Sequence, residues 1–243
     1  MDERFHPFQK KVEDWHWWYR TRRDILDGLL ARLPLDRSRA RLLDVGCGTG
    51  GGALVLSRYG QAFGLDMAQA SFAAAPDRPY THRVVGSAEV IPFADDTFDV
   101  VAALDVLEHL DDDVGGAQEI RRVLKPGGVA VIFVPAFQIL WGYNDVFSHH
   151  RRRYTGPTLR RTLEAAGLTV ENLGYFNMLL FLPLLLARLA ERVAPERLQQ
   201  IEYTESPTAM NEVLARLFQL ELPLLRRRPL PLGSSAFCLA WKR

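Results

Sequence analysis

The spacing of apolar positions changes several times along this chain, and each change marks an element. From Trp15 they recur every three or four residues (Trp15, Trp18, Ile25, Leu26, Leu29, Leu30, Leu33), which predicts an amphipathic helix ended by Pro34. Short apolar runs then predict strands over 41–45, 61–65, 81–85, 98–104 and 128–134, with helices over 51–59, 67–75 and 113–124 between them. Lys125-Pro126-Gly127-Gly128 reads as a turn. Thr155 caps a helix running to Ala166, with Pro157 in its first turn and Gly167 as its stop. Strands over 168–175 and 235–242 complete the series. Strands alternating with helices predict a parallel sheet covered on both faces.

Between Phe176 and Gly233 the rhythm breaks into two or three helices, read as an insertion before the last strand. Its ten-residue run Met178 to Ala187 is far shorter than the ~20 apolar residues a membrane span needs. Core or the wall of an apolar pocket ranks first for this run, ahead of a dimer face and of membrane-surface contact aided by Arg226, Arg227 and Arg228.

Composition narrows the class. The chain has 243 residues, 48% hydrophobic and 24% charged, enough for one α/β domain with an elaboration. Thirty basic against twenty-nine acidic side chains leave no field to draw nucleic acid, so none is expected as a partner. Cys47 and Cys238 lie far apart without CxxC spacing and read as reduced thiols. The charged N-terminus lacks a secretion signal's apolar centre, so the expected location is cytoplasmic, with peripheral membrane contact second.

The chemistry concentrates in Leu42 to Gly51, "LLDVGCGTGG", where a strand runs through an acid into a glycine loop. Glycines at a strand-to-helix turn expose backbone N–H groups and let a ligand approach without Cβ interference. Gly46, Gly48 and Gly51 also satisfy GxGxxG, with Asp66 twenty residues after the first, so spacing alone admits a nicotinamide dinucleotide. Asp44 weighs against it, because a carboxylate two positions before the loop repels a pyrophosphate and suits a cation.

The segments "FGLDMA", "VVGSAEVIPFADDTFD", "VVAALDVLEHLDD" and "EIRRVLKPGGVAVIFVP" follow in order. With the DVGCGTG loop, the stretch from Arg41 to Pro135 resembles the class I S-adenosylmethionine-dependent methyltransferases of small-molecule type. The resemblance implies a Rossmann-like doubly wound sheet of seven strands, the last antiparallel, with a lid over 1–34, a cofactor domain over 35–176 and 234–243, and a cap over 177–233. It implies that Gly46, Cys47, Gly48 and Gly50 line the methionine moiety of S-adenosylmethionine and Asp44 meets its amino group. Asp66 would take the ribose hydroxyls, Met67, Ser87, Ala88 and Glu89 would contact adenine, and Asp105 and Val106 would flank the sulfonium. In the lid, Tyr19 and Arg23 would face the cofactor, and His16 and Trp17 the substrate. Many relatives carry an acid where Ser87 stands; its hydroxyl keeps a hydrogen bond there but not the charge.

Methyl transfer from a sulfonium needs alignment and water exclusion rather than a nucleophilic triad, and no metal set is put forward from the sequence. His109, His149, His150 and Tyr154 are the candidate bases, the resemblance implies that Glu108 and His109 would face the acceptor, and Arg151 and Arg153 would clamp an anionic acceptor. The expected partner is a small apolar or lipid-like acceptor, with monomer and homodimer both open. A relative that binds the cofactor without methylating, such as a cyclase, would share the same loop.

Overall fold

The computed structural model describes residues 5–193 and 208–243, apart from the side chains of 5–8, 193 and 226. The segment 194–207 of the expected insertion and the Arg226 side chain thus lie outside the described residues.

Seven strands form one sheet: β1 (Arg41–Val45), β2 (Gln61–Asp66), β3 (His82–Val85), β4 (Phe98–Leu104), β5 (Leu124–Pro135), β6 (Thr169–Phe176) and β7 (Ser235–Trp241). Their order is β3-β2-β1-β4-β5-β7-β6, and β7 runs antiparallel to both neighbours, as the resemblance implied. Strand order reverses between β1 and β4, in register Leu43↔Val101, so their carboxyl ends open a crevice where a doubly wound sheet takes its ligand. The expected turn at 125–128 is absorbed into β5, which pairs Phe98↔Leu124, shifts register, and resumes at Val100↔Val129.

The helices are α1 (Phe5–Glu13), α2 (Trp17–Leu30), α3 (Ala53–Leu56), α4 (Gln69–Ala74), α5 (Asp113–Val123), α6 (Tyr143–Phe147), α7 (Gly156–Ala165), α8 (Phe181–Val193) and α9 (Thr208–Arg227). Ala117, Ile120 and Val123 of α5 and Leu159 and Leu163 of α7 are buried on one face of the sheet. Ile25, Leu26, Leu29 and Leu30 of α2, Val55 and Leu56 of α3, and Phe218 and Leu222 of α9 fill the other.

Two departures from the sequence reading bear on function. The helix expected from Trp15 is α2, which starts at Trp17, and a further helix that the sequence reading did not anticipate, α1, precedes it across a break at residues 14–16. His16 is the N-cap of α2, its backbone extended (φ −68°, ψ 133°) and its Nδ1 accepting from the Trp18 N–H at 3.3 Å. Asn211 of α9, almost fully buried, stitches the break: Oδ1 accepts from the Trp17 N–H at 2.7 Å and Nδ2 donates to the Trp15 carbonyl at 3.2 Å.

The second departure is the apolar run Met178 to Ala187, which contains no buried residue, so it is not core. Leu182, Leu186 and Leu189, spaced along one face of α8, and Leu179 in the turn before it are 41–60% exposed. The run is held at its start by Glu221 of α9, whose carboxylate accepts from the Met178 and Leu179 N–H groups at 3.0 and 2.7 Å. Among the described residues no helix is long and apolar enough to cross a membrane.

Candidate functional site: the carboxyl edge at the strand crossover

Gly46, Gly48 and Gly50 all adopt left-handed backbone, φ +67°, +50° and +82°. A side chain there would be strained, and on Gly46 a Cβ would stand 2.6 Å from Val106 Cγ2. Asp66, at the end of β2, braces the loop: Oδ2 accepts from the Gly48 N–H at 2.7 Å and Oδ1 from the Ala68 N–H at 2.9 Å. Each oxygen keeps a further lone pair. Met67 beside it is 74% exposed, an apolar surface with nothing over it. Ser87 holds its own turn, its hydroxyl accepting from the Glu89 N–H at 3.1 Å, with Ala88 buried and Glu89 exposed.

Asp44 is buried within β1 and accepts from the Tyr80 hydroxyl at 2.5 Å. Burial pushes its carboxyl up to about 7, and the nearby carboxylates of Glu13 and Asp66 push the same way. Glu13, from α1, is itself raised by burial and pairs with Arg78 at 3.3 Å. Three acids therefore surround the glycine loop, which disfavours a pyrophosphate and favours a cationic ligand. A sulfonium amino acid fits this set: its ammonium would give the buried Asp44 charge a partner, Asp66 has acceptor capacity left for hydroxyls, and Met67 leaves a bare apolar face for a base. Cys47 lies buried in the loop, its thiol pushed up by burial and by Asp44, so it is inert packing rather than a nucleophile. Cys47 and Cys238 are both free.

Asp105 directly follows β4 in left-handed backbone, φ +58°. Its carboxylate is held by both sides of the Arg22 guanidinium, Nε to Oδ2 and Nη2 to Oδ1, each 2.6 Å. Arg22 is almost fully buried and stacks over the Trp18 ring at 3.9 Å. This link from α2 to the crevice was missed by the sequence reading. The available signal was position: Arg22 lies four residues after Trp18 and four before Leu26, on the apolar face.

Beyond Asp105, Glu108, His109 and His150 converge, while His149 sits exposed in left-handed backbone (φ +57°) outside that group. Burial and the neighbouring His150 hold His109 down to about 4, so its imidazole is neutral at physiological pH. The ring of His150 is oriented by Asp145, Nδ1 to Oδ1 at 2.8 Å.

Several expected roles do not fit their surroundings. Tyr154 is buried, and its hydroxyl donates to Asp113 Oδ2 at 2.7 Å. Burial and that carboxylate raise its pKa, so it is a brace and not a base. Tyr154→Phe should cost about 1 kcal/mol of stability and leave cofactor affinity unchanged, checked by thermal melting and calorimetric titration. Arg153 gives its guanidinium to Asp145 at 2.8 and 3.0 Å, and Arg151 pairs with Asp111 at 3.0 Å, so neither is left open as an anion clamp. Arg23 donates to the Glu13 and Asp14 carbonyls at 2.6 and 3.4 Å, tying α1 to α2 instead of facing a ligand. His16 is the cap of α2; its neighbours Trp17 and Tyr19 are half-buried at the same helix start.

The sheet order and this loop define a doubly wound α/β protein of the nucleotide-cofactor-binding class. A family model described as "Methyltransferase domain" matches residues 43–132. A probable S-adenosylmethionine-dependent methyltransferase of Mycolicibacterium smegmatis is 32% identical over 167 residues, covering 67% of this chain and 63% of that protein. The ubiquinone/menaquinone biosynthesis C-methyltransferase UbiE of Geobacter sulfurreducens is 39% identical over 103 residues, 38% of this chain and 40% of that one. The matched part thus spans less than two thirds of either curated relative. The solved structure of a SAM-dependent methyltransferase of Thermotoga maritima superposes with a TM-score of 0.63 at 18% identity, covering 98% of each chain, which shows the shared fold. The chain belongs to the class I S-adenosylmethionine-dependent methyltransferases.

Proposed function

We propose that this protein transfers the methyl group of S-adenosylmethionine to a small apolar or lipid-like acceptor. The observation that carries the reading is the crevice itself: three left-handed glycines set between the buried Asp44 and the loop-bracing Asp66. The bound cofactor supplies an already activated methyl on a positive sulfur, displaced in line. The chain's own task is to hold and align. Asp44 pairs with the ammonium, Asp66 accepts from the ribose hydroxyls, Met67, Ser87, Ala88 and Glu89 border the adenine, and Val106 presses on the glycine turn. Helix α1, through Glu13 and Arg78, covers the loop and excludes water.

On the acceptor side, Glu108, His109 and His150 form the polar end. Phe137, stacked on Tyr175 at 5.0 Å and edge-on to Phe181 at 5.6 Å, offers an apolar wall where α8 meets the sheet edge. That wall, the exposed leucines of α8, and a relative named for ubiquinone and menaquinone biosynthesis support an apolar acceptor. We assign the capping role to α8, whereas α9 packs with α2 as part of the sheet's covering layer.

Calorimetric titration with S-adenosylhomocysteine should show binding that Asp66→Ala weakens by about 1 to 3 kcal/mol, the loss of charge-assisted hydrogen bonds. No binding of either S-adenosyl compound, together with binding of a nicotinamide dinucleotide, would overturn the reading.

A further inference from the structure

Glu108 is fully buried, and neither of its carboxylate oxygens has a hydrogen-bond partner among the described residues. An unpaired buried carboxylate is costly, and native structures rarely carry one without a ligand, an ion or water to meet it. The two guanidinium groups that act on it electrostatically are bonded elsewhere, Arg22 to Asp105 through Nε and Nη2 and Arg153 to Asp145; Nη1 of Arg22 is itself without a partner among the described residues, and neither group donates to Glu108. What Glu108 does have beside it is two imidazoles: one ligand atom each from Glu108, His109 and His150 lie within 4.8 Å of one another. The two rings stand edge to face with centroids 4.8 Å apart.

The surroundings prepare these imidazoles as ligands. Asp145, fully buried, is fixed by Arg153 and by the Gly142 N–H at 2.8 Å, and it takes Nδ1 of His150. A carboxylate on one ring nitrogen fixes the tautomer and presents the other nitrogen, the arrangement found behind metal-bound histidines. Ligand atoms around a zinc-sized ion stand about 3.4 Å apart, so a small rotation of the two half-buried rings closes the set.

We infer that Glu108, His109 and His150 bind a divalent first-row transition-metal ion next to Asp105, with Asp145 as the positioning residue for His150. Two imidazoles and one carboxylate suit zinc, iron(II), cobalt or manganese better than calcium or magnesium, which prefer all-oxygen sets. Three protein ligands leave coordination positions free. Under the methyltransferase reading those positions face the acceptor and would order one of its oxygen atoms beside the methyl donor. The use of the ion rests on that reading; its binding does not.

The test uses the full chain, stripped with chelator and titrated with cobalt(II), followed by its visible absorption, and with zinc(II), followed by elemental analysis after dialysis. The wild type should take up one ion per chain and melt at a higher temperature when loaded with zinc. Glu108→Gln and His150→Ala should each weaken cobalt binding by about 100-fold or more, and Asp145→Asn by about 10- to 100-fold. Affinity for S-adenosylhomocysteine, measured in parallel, should stay within about threefold in all three and so reports that they fold. The inference fails if the wild type binds neither ion at ~100 μM, or if Glu108→Gln and His150→Ala bind cobalt as the wild type does. Should a variant not fold, the wild-type stoichiometry and zinc-dependent melting decide alone. Metal uptake without S-adenosylhomocysteine binding would overturn the methyltransferase reading and leave the metal site standing; the opposite result would do the reverse.

Discussion

Arg22→Ala is expected to destabilise the protein by about 3 kcal/mol, the low end of the cost of stripping one partner from a buried ion pair. In a chain of this size that lowers the melting temperature by about 6 to 12 °C. Two short charge-assisted bonds to Asp105 disappear, together with the guanidinium stacked on Trp18. Asp105 is left in left-handed backbone with no cation holding it. The end of β4 should then lose its fixed geometry, and affinity for S-adenosylhomocysteine should fall along with stability. Arg22→Lys restores the charge but not the two-pronged geometry, so it should recover only part of both. Thermal melting and calorimetry on the three proteins check this. An Arg22→Ala protein that melts within 2 °C of wild type would show that the pair is solvated and contributes little.

Arg22 also shows where sequence reading stops. The strands were legible because β1, β4 and β5 are near-continuous apolar runs, as strands covered on both faces must be. The glycine loop was legible because left-handed backbone at three alternate positions admits few residues besides glycine. A basic residue in a helix, by contrast, reads by default as solvent-facing, and only its partner 83 residues away makes it a buried strut. Tyr80 and Arg78 lie in a stretch without periodicity, so their bonds to Asp44, Glu13 and the Thr49 carbonyl had no local signature.

The histidine cluster illustrates the same limit. His109 and His150 were each visible as titratable groups, but nothing in their spacing tells that a loop returns His150 to the end of β4. Glu108 was read as facing the acceptor, whereas the reason to look at it is its burial without a partner, a property only packing reveals. The run at 178–187 failed in the other direction. Composition ranked core or the wall of an apolar pocket first, and the core reading fails because α8 spans the edge of the domain with one leucine-rich face outward, while α9 occupies the layer beside α2.

Asp44→Asn should stabilise the ligand-free protein at pH 8 while impairing it as a cofactor-binding protein. Burial raises the Asp44 carboxyl from 3.8 to about 7, so between those values the folded chain holds a proton that the unfolded chain has lost. Stability therefore falls as pH rises through that window, and the full penalty of the buried charge is present above about pH 7. An amide is close in shape, keeps an oxygen to accept from Tyr80, and carries no charge. Its gain at pH 8 should be about 1 to 3 kcal/mol, less than the carboxylate's desolvation cost because the new N–H groups need partners of their own. At pH 4, where wild-type Asp44 is neutral in the folded chain, the two proteins should melt at nearly the same temperature. Binding runs the other way. The ammonium of the cofactor requires the charged carboxylate, so wild-type affinity for S-adenosylhomocysteine should drop by about tenfold per pH unit below pH 7. In Asp44→Asn it should be about 10- to 150-fold weaker at pH 8 and nearly flat with pH. Melting curves at pH 8, 7, 6 and 4 and titrations at pH 8, 7 and 6 read the two effects. A variant that binds as tightly as wild type at pH 8 would remove Asp44 from the cofactor site, and the buried acid before the glycine turn would then be only a strut for Tyr80.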